Sequence, residues 1–451
     1  MDIRSVIVSI FATLAVSAGA GTLYVDVATG EQTFDGTYTL TADDHGICHI
    51  TKTGAGKAVF SQDVNVPGWT VYDGEGEAEY AGTLTGAQNL YKRGAGSLTL
   101  TTPGACIFKI QNGDLRVKNY TGSMSVSYLV DQGATAGFYP GLGSGDASLG
   151  DMLFQGGGAC LIGTLGDGRT LTVSGAQLYA PRAVFDVGAG DTIKLGDLRA
   201  YLVGNRKDYV DTDAVKLGPG TLELTTKPSC YPPTTFTVRA GTLVADFTDE
   251  PWNLSYTRTE GGPVSVDVCG LMRGASTPLV LGDGGSPTDA AIVFAPNCAT
   301  FMSGRPVVAH ARPASVAIDV RSGSATFTGK LTVNRADLGL NGAAGTLLAL
   351  GDIEKGADVT AATLVQGADV SLALNGTVGP GLSLSATAAH DLNLGKDAVA
   401  TATFDTGDFA GGVTIEGCGH AGAESRRIDI HGSRPGRGRH AEARYRCLHA
   451  Q

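Results

Sequence analysis

The sequence predicts an all-β chain, an elongated parallel β-helix or β-solenoid. Three observations carry that prediction. Short glycine-punctuated segments recur along the chain, their apolar residues alternate with period two, and no helical period follows the first twenty residues. A unit of this size cannot bury its apolar face alone, whereas stacked copies bury a continuous core.

The recurrence has three tiers. The first is a basic, glycine-rich turn leading into a strand: ITKTGAGKAVF at Ile50 to Phe60, YAGTLTGAQNLYKRGAGSLTLT at Tyr80 to Thr101, and DAVKLGPGTLELT at Asp213 to Thr225. The second holds glycine, glycine and leucine at fixed positions: GEAEYAGTL from Gly76, GDTIKLGDL from Gly190 and GSATFTGKL from Gly323, with Asp73, Asp186 and Asp319 upstream. The third aligns Phe108 to Val117 with Phe236 to Ala245; each runs inward, bends at Gly113 or Gly241 and resumes with Leu115 or Leu243. In the strands, Leu98 and Leu100 alternate with Ser97, Thr99 and Thr101, the mark of a half-buried strand. Coils of about 20–25 residues follow from the spacing.

The chain reads in four parts. Residues 1–20 form a secretory signal peptide: Arg4, an apolar run from Val6 to Val16 too short to serve as an anchor, then Ala18, Gly19 and Ala20 for cleavage. Residues 21–245 form a solenoid with clear repeats, and 246–418 continue it with degenerate ones. Residues 419–451 carry seven arginines, three acids and no lysine. That tail reads as an out-of-frame run, with a basic anchor or a disordered extension as the alternatives.

Composition agrees. Glycine reaches 66 residues without a collagen period, and charged residues make up only 17% where about 25% is usual. The formal net charge of −11 argues against nucleic acid as a partner, since phosphate binding needs a basic surface. The eight cysteines lie too far apart for a redox pair or a zinc knuckle. Isolated, buried thiols are expected.

The segments LYKRGAGSLTLT (Leu90 to Thr101) and AVKLGPGTLELT (Ala214 to Thr225), with FDVGAGDTIKLGDL (Phe185 to Leu198) and YAGTLTGAQN (Tyr80 to Asn89), resemble the passenger-associated strand repeat of bacterial autotransporters. The resemblance implies a secreted, cell-surface or outer-membrane β-solenoid with an adhesin-like role. It transfers no catalytic residue. The family's terminal membrane barrel has no counterpart here, so self-translocation is not expected.

A structural, adhesive or display role without catalysis is therefore expected, with cell-surface or extracellular-matrix glycans or proteins as partners. No transmembrane segment is expected in the mature chain. The alternative is a carbohydrate-active β-helix enzyme, a polysaccharide lyase or hydrolase, which needs carboxylates from adjacent coils converging in one groove. A fragment of a larger adhesin is a third reading. No catalytic, metal or cofactor residue is assigned, and no cofactor is expected. Asp43, Asp44, His45, Cys48 and His49 read as a polar turn with incidental histidines. Asp211 and Asp213 read as a solvated turn, not a calcium site, and Cys418-Gly419-His420 falls at the compositional break. Lys92 and Lys216 read as surface residues at strand starts. Trp69 and Trp252 read as covers for a solenoid end or fillers of a wide coil, with exposed sugar-stacking platforms as the alternative.

Overall fold

The computed structural model describes residues 22–386 apart from 104–106, 121–125, 142–144, 201–211, 227–232, 250–251, 259–261, 269–270, 273–275, 287–288, 311, 368, 377 and 380, and beyond 386 the strands 392–394, 401–404, 413–415 and 441–444. Residues 1–20, read above as a signal peptide, lie outside the described residues, with Asp211, Cys418, Gly419, His420 and the rest of the tail outside 441–444, as do Cys106, Cys230, Cys269 and Cys447. All regular elements among the described residues are strands. The chain divides into two compact units after Leu165. Each is a parallel β-solenoid, as the repeats predict.

In the first unit one coil runs through Ile47–Thr53, a glycine turn, Lys57–Phe60 and the start of Val64–Gly74, which also opens the next coil. Registration is strict. Ala58, Ala78, Leu98, Leu115, Phe138 and Ile162 stack one above another, and none exposes more than 1% of its surface. From Ala58 to Ala78 and on to Leu98 the register advances by the coil length expected. The neighbouring inward row stacks aromatic rings, Phe34 on Phe60 at 5.4 Å and Phe60 on Tyr80 at 4.5 Å between centroids. Each such buried side chain contributes about 1.5–3 kcal/mol.

The second unit repeats the scheme. Leu171, Ile193, Leu222, Leu243, Phe294, Ile318 and Leu340 form one buried inward row. Between Leu243 and Phe294 the row is interrupted in sequence by an inserted antiparallel hairpin, Trp252–Arg258 paired with Gly262–Val268. Nothing in the repeat pattern signals this antiparallel pair. Near the C-terminal end Thr401–Phe404 also pairs antiparallel, with Ala441–Arg444.

The second-tier glycines are explained by the stacking. Gly76, Gly190 and Gly323 each adopt positive φ (60°, 78° and 58°), the left-handed region that glycine enters without steric cost. The second glycine of each copy sits at a corner pressed onto the coil beneath. A Cβ there would stand 2.5 Å from Gln62 O at Gly82, 2.2 Å from Ser174 O at Gly196 and 2.3 Å from Arg305 O at Gly329. The closing Leu84, Leu198 and Leu331 are buried.

One expectation is corrected. Lys92 and Lys216 are not surface residues; both are fully buried. Each occupies an inward strand position, in register with Ile110 and Val238 of the following coil. The stem therefore points into the core and the ammonium turns into the adjoining glycine bend. Lys92 Nζ donates to the carbonyls of Arg93, Gly94 and Asn112 at 2.9, 2.8 and 2.9 Å. Lys216 Nζ donates to those of Leu217, Gly218 and Ala240 at 2.7, 2.7 and 3.0 Å. The third acceptor in each set belongs to the next coil, so one ammonium satisfies two turns and ties two coils. Lys52 does the same within its own turn, donating to Gly54 and Gly56. Cys48 and Cys160 are buried free thiols, and Cys298 is a half-buried one.

Candidate functional site: an aromatic outer face

The sheet face built from Thr22–Asp26, Ile47–Thr53, the end of Val64–Gly74, the end of Glu77–Arg93, Ile107–Ile110 and Val126–Tyr128 turns outward the even-numbered residues of its first strand and the odd-numbered residues of the others. Its inward positions form a buried row of their own, Cys48, Thr70, Leu90, Phe108 and Val126, so the outward ones are free to differ. Large exposed apolar and aromatic side chains are concentrated among them. Six large apolar side chains are strongly exposed among the described residues, and four of them, Tyr24, Trp69, Ile107 and Leu129, lie on this one face. Scattered apolar residues need no explanation, whereas a concentration on one face marks a contact surface.

Register assembles the centre of the face. Trp69 pairs with Asn89, and Asn89 with Ile107, giving one outward row. The adjacent row contains His49, Val71, Tyr91 and Lys109. The diagonal Trp69 and Tyr91 rings lie 5.7 Å apart at a 31° tilt. Lys109 Nζ stands 4.9 Å from the Tyr91 centroid and 5.7 Å from that of Trp69, and donates to Tyr91 Oη at 2.9 Å. Such cation–π contacts are worth about 0.5–1 kcal/mol at exposed sites. Their effect here is to fix both rings before anything binds. The third row starts at Tyr24 and is polar at its centre: Thr51, Asp73 and Arg93, the last donating to Gln111.

The arrangement is a flat strip with fixed rings, flanked by a carboxamide, a phenol and an ammonium. It offers stacking and hydrogen bonding, and the strip carries no paired carboxylates. Trp69 is 45% exposed, so the expectation that it closes an end or fills a coil is corrected. An outward strand position in the middle of the stack leaves its ring no core to enter. The strand Trp252–Arg258 holds Trp252, whose side chain is not described.

The other sequence candidates are placed as follows. The Asp43 carboxylate accepts the amide N–H of His45 at 2.8 Å and of Ile47 at 2.9 Å, with His49 Nε2 at 3.5 Å. The Ile47 amide leads the interactions that hold this carboxyl below its ordinary value. It is a turn cap, as read from the sequence, and Asp44 and His45 sit exposed in the same turn. Asp213 opens the strand Asp213–Leu217 and accepts the Thr235 hydroxyl at 2.5 Å. Among the described residues no three His, Cys, Asp or Glu side chains gather as a metal site, and no helix is long and apolar enough to cross a membrane. Tyr91, Lys109, Asn89 and Ile107 were not singled out in the sequence. The outward alternation of LYKRGAG signalled Tyr91, but which coil lies under which is set by registration alone. No protein-family model, no curated protein and no solved structure matches this chain.

Proposed function

We propose that this chain is a secreted or cell-surface β-solenoid, similar to an autotransporter passenger, with a structural, adhesive or display role and no catalysis. Its work is done by an outer face and not by a cleft. The observation that carries this reading is the gathering of Tyr24, Trp69, Ile107 and Leu129 on one sheet face whose inward side is a strictly registered core. Rigid, repeated strands hold those side chains at fixed spacing, which suits shallow contact at several points at once. The resemblance of Leu90 to Thr101 and Ala214 to Thr225 to the passenger repeat supports export.

Two measurements test the reading. Full-length chain expressed in a bacterial host with an export pathway is expected outside the cytoplasm with Gly21 as its first residue; cytoplasmic retention of the intact N-terminus would argue against secretion. Purified protein on beads is expected to adhere to glycan- or matrix-coated surfaces, to lose adhesion when Trp69 and Tyr91 are both changed to Ala, and to release no reducing ends or unsaturated products. Product release would favour an enzyme.

A further inference from the structure

The contact face has a shape and chemistry that narrow its ligand. Resting on the contact-surface reading above, we infer that the strip centred on Trp69, Tyr91, Asn89, Ile107 and Lys109 binds an extended, uncharged polysaccharide rich in equatorial hydroxyls, such as a β-linked glucan, mannan or xylan.

Width decides against a globular protein partner. The apolar side chains at its centre occupy only two rows, Trp69–Asn89–Ile107 and Val71–Tyr91–Lys109, and the next row carries Asp73 and Arg93. Protein interfaces need a broad core depleted of charge. A single polymer chain needs only a narrow track.

Chemistry favours a sugar. A pyranose with equatorial substituents presents a patch of axial C–H bonds above and below the ring, and these sit on aromatic faces. Its rim is all hydroxyl. The strip supplies the matching pattern: Trp69 exposed and tilted against Tyr91, then the Asn89 carboxamide, the Tyr91 hydroxyl and the Lys109 ammonium beside the rings. Trp69 and Ile107 repeat the apolar contact two coils apart in one row, with Asn89 between them, about 9.6 Å at the usual strand spacing, so alternate sugars of an extended chain meet an apolar contact. The rings are already immobilised by Lys109, which lowers the ordering cost of binding.

Charge points to an uncharged chain. The protein carries a net −11, which repels a polyanion at long range. On the face itself the Lys109 ammonium is already engaged by Tyr91 and both rings, and Arg93 by Gln111.

The experiment uses full-length protein carrying Trp252→Phe, so that Trp69 is the only tryptophan. Soluble oligosaccharides of glucan, mannan and xylan are titrated while tryptophan emission is followed, with polygalacturonate, heparin and a panel of immobilised matrix proteins as further arms. The expected result is a saturable emission shift with one or more of the uncharged glycans, unchanged by added salt. Affinity, followed by calorimetry, is expected to fall about tenfold in Trp69→Ala and again in Ile107→Ser. Circular dichroism checks that each variant keeps its β signal; Ile107→Ser serves if Trp69→Ala does not. Binding of polyanions alone, or glycan binding indifferent to both substitutions, overturns the inference. Capture of a matrix protein alone, lost in both variants, overturns the glycan assignment and leaves the contact-surface reading standing. Absence of any ligand dependent on this face overturns both.

Discussion

A lysine in a strand that faces the core is an expensive choice unless its charge is met. Lys216 shows how it is met: three carbonyl oxygens at 2.7 to 3.0 Å take its three N–H bonds, and Asp186 of the preceding coil attracts it. Burial still dominates, holding the Lys216 ammonium down at about 7 and Lys92 at about 8. Replacing Lys216 with Met removes the ammonium's hydrogen bonds to three carbonyls, of which Leu217 O keeps the Val187 amide at 3.1 Å. A loss of about 2–4 kcal/mol is expected, readable by urea denaturation. The pH dependence follows from the direction of the shift. Between about 7 and the ordinary lysine value of 10.5 the unfolded chain holds the proton and the folded chain does not, so stability rises with pH across that window. Below about 7 both states are charged and the curve flattens at its lower level. The wild-type minus Lys216→Met difference in stability is expected to grow from pH 7 to pH 10; a difference that shrinks over that range would contradict this account.

Buried cations also act on whole elements. Arg305 lies on the strand side of the inserted hairpin, with its side chain 1% exposed and Asp249 fully buried against it at 3.2 Å. Its other nitrogens donate to Met272 O at 2.7 Å and Thr277 O at 2.9 Å. Asp249 also accepts from Ser303 Oγ at 2.9 Å and Leu271 N at 2.8 Å. Asp249 precedes the hairpin and Met272 and Thr277 follow it, so one guanidinium closes the base of the insertion. Arg335 repeats the device with the carbonyls of Pro313 and Ala314. Arg305→Met is expected to cost about 3–5 kcal/mol because Asp249 is left buried and unpaired. Limited proteolysis is expected to cut first between 246 and 278. At a corner, Gly196→Ala drives a Cβ to 2.2 Å from Ser174 O. Backbone on both sides has to shift, and a destabilisation of about 1–3 kcal/mol is expected by thermal melting.

At the scale of the molecule, contacts within each unit run chiefly from coil to adjacent coil, so stability adds along each stack and disturbance stays local. Hydrogen exchange makes this testable. Arg305→Met is expected to speed exchange in the strands from Gly241–Ala245 to Ser324–Phe327 and to leave residues 22–165 at wild-type rates. Equal acceleration in both units would show that the two behave as one cooperative block.

The sequence by itself determined an all-β fold of parallel, stacked strands, the antiparallel pairs excepted, and where the recurring glycine turns fall. Period-two alternation at Leu98 and Leu222 and the recurring glycines of Gly76, Gly190 and Gly323 are local signals, and a local signal suffices to define a strand or a turn. The direction of Lys92 and Lys216 is legible in the same alternation, against the usual placement of charge at the surface. Carbonyls from the next coil make the inside tolerable, and those are not neighbours in sequence. The aromatic face was decided by tertiary structure alone. Trp69, Asn89 and Ile107 share a row, and Tyr91 and Lys109 the next, only because registry lays one coil over another. Registry is set by the summed packing of the interior, a property that no single segment of the chain contains.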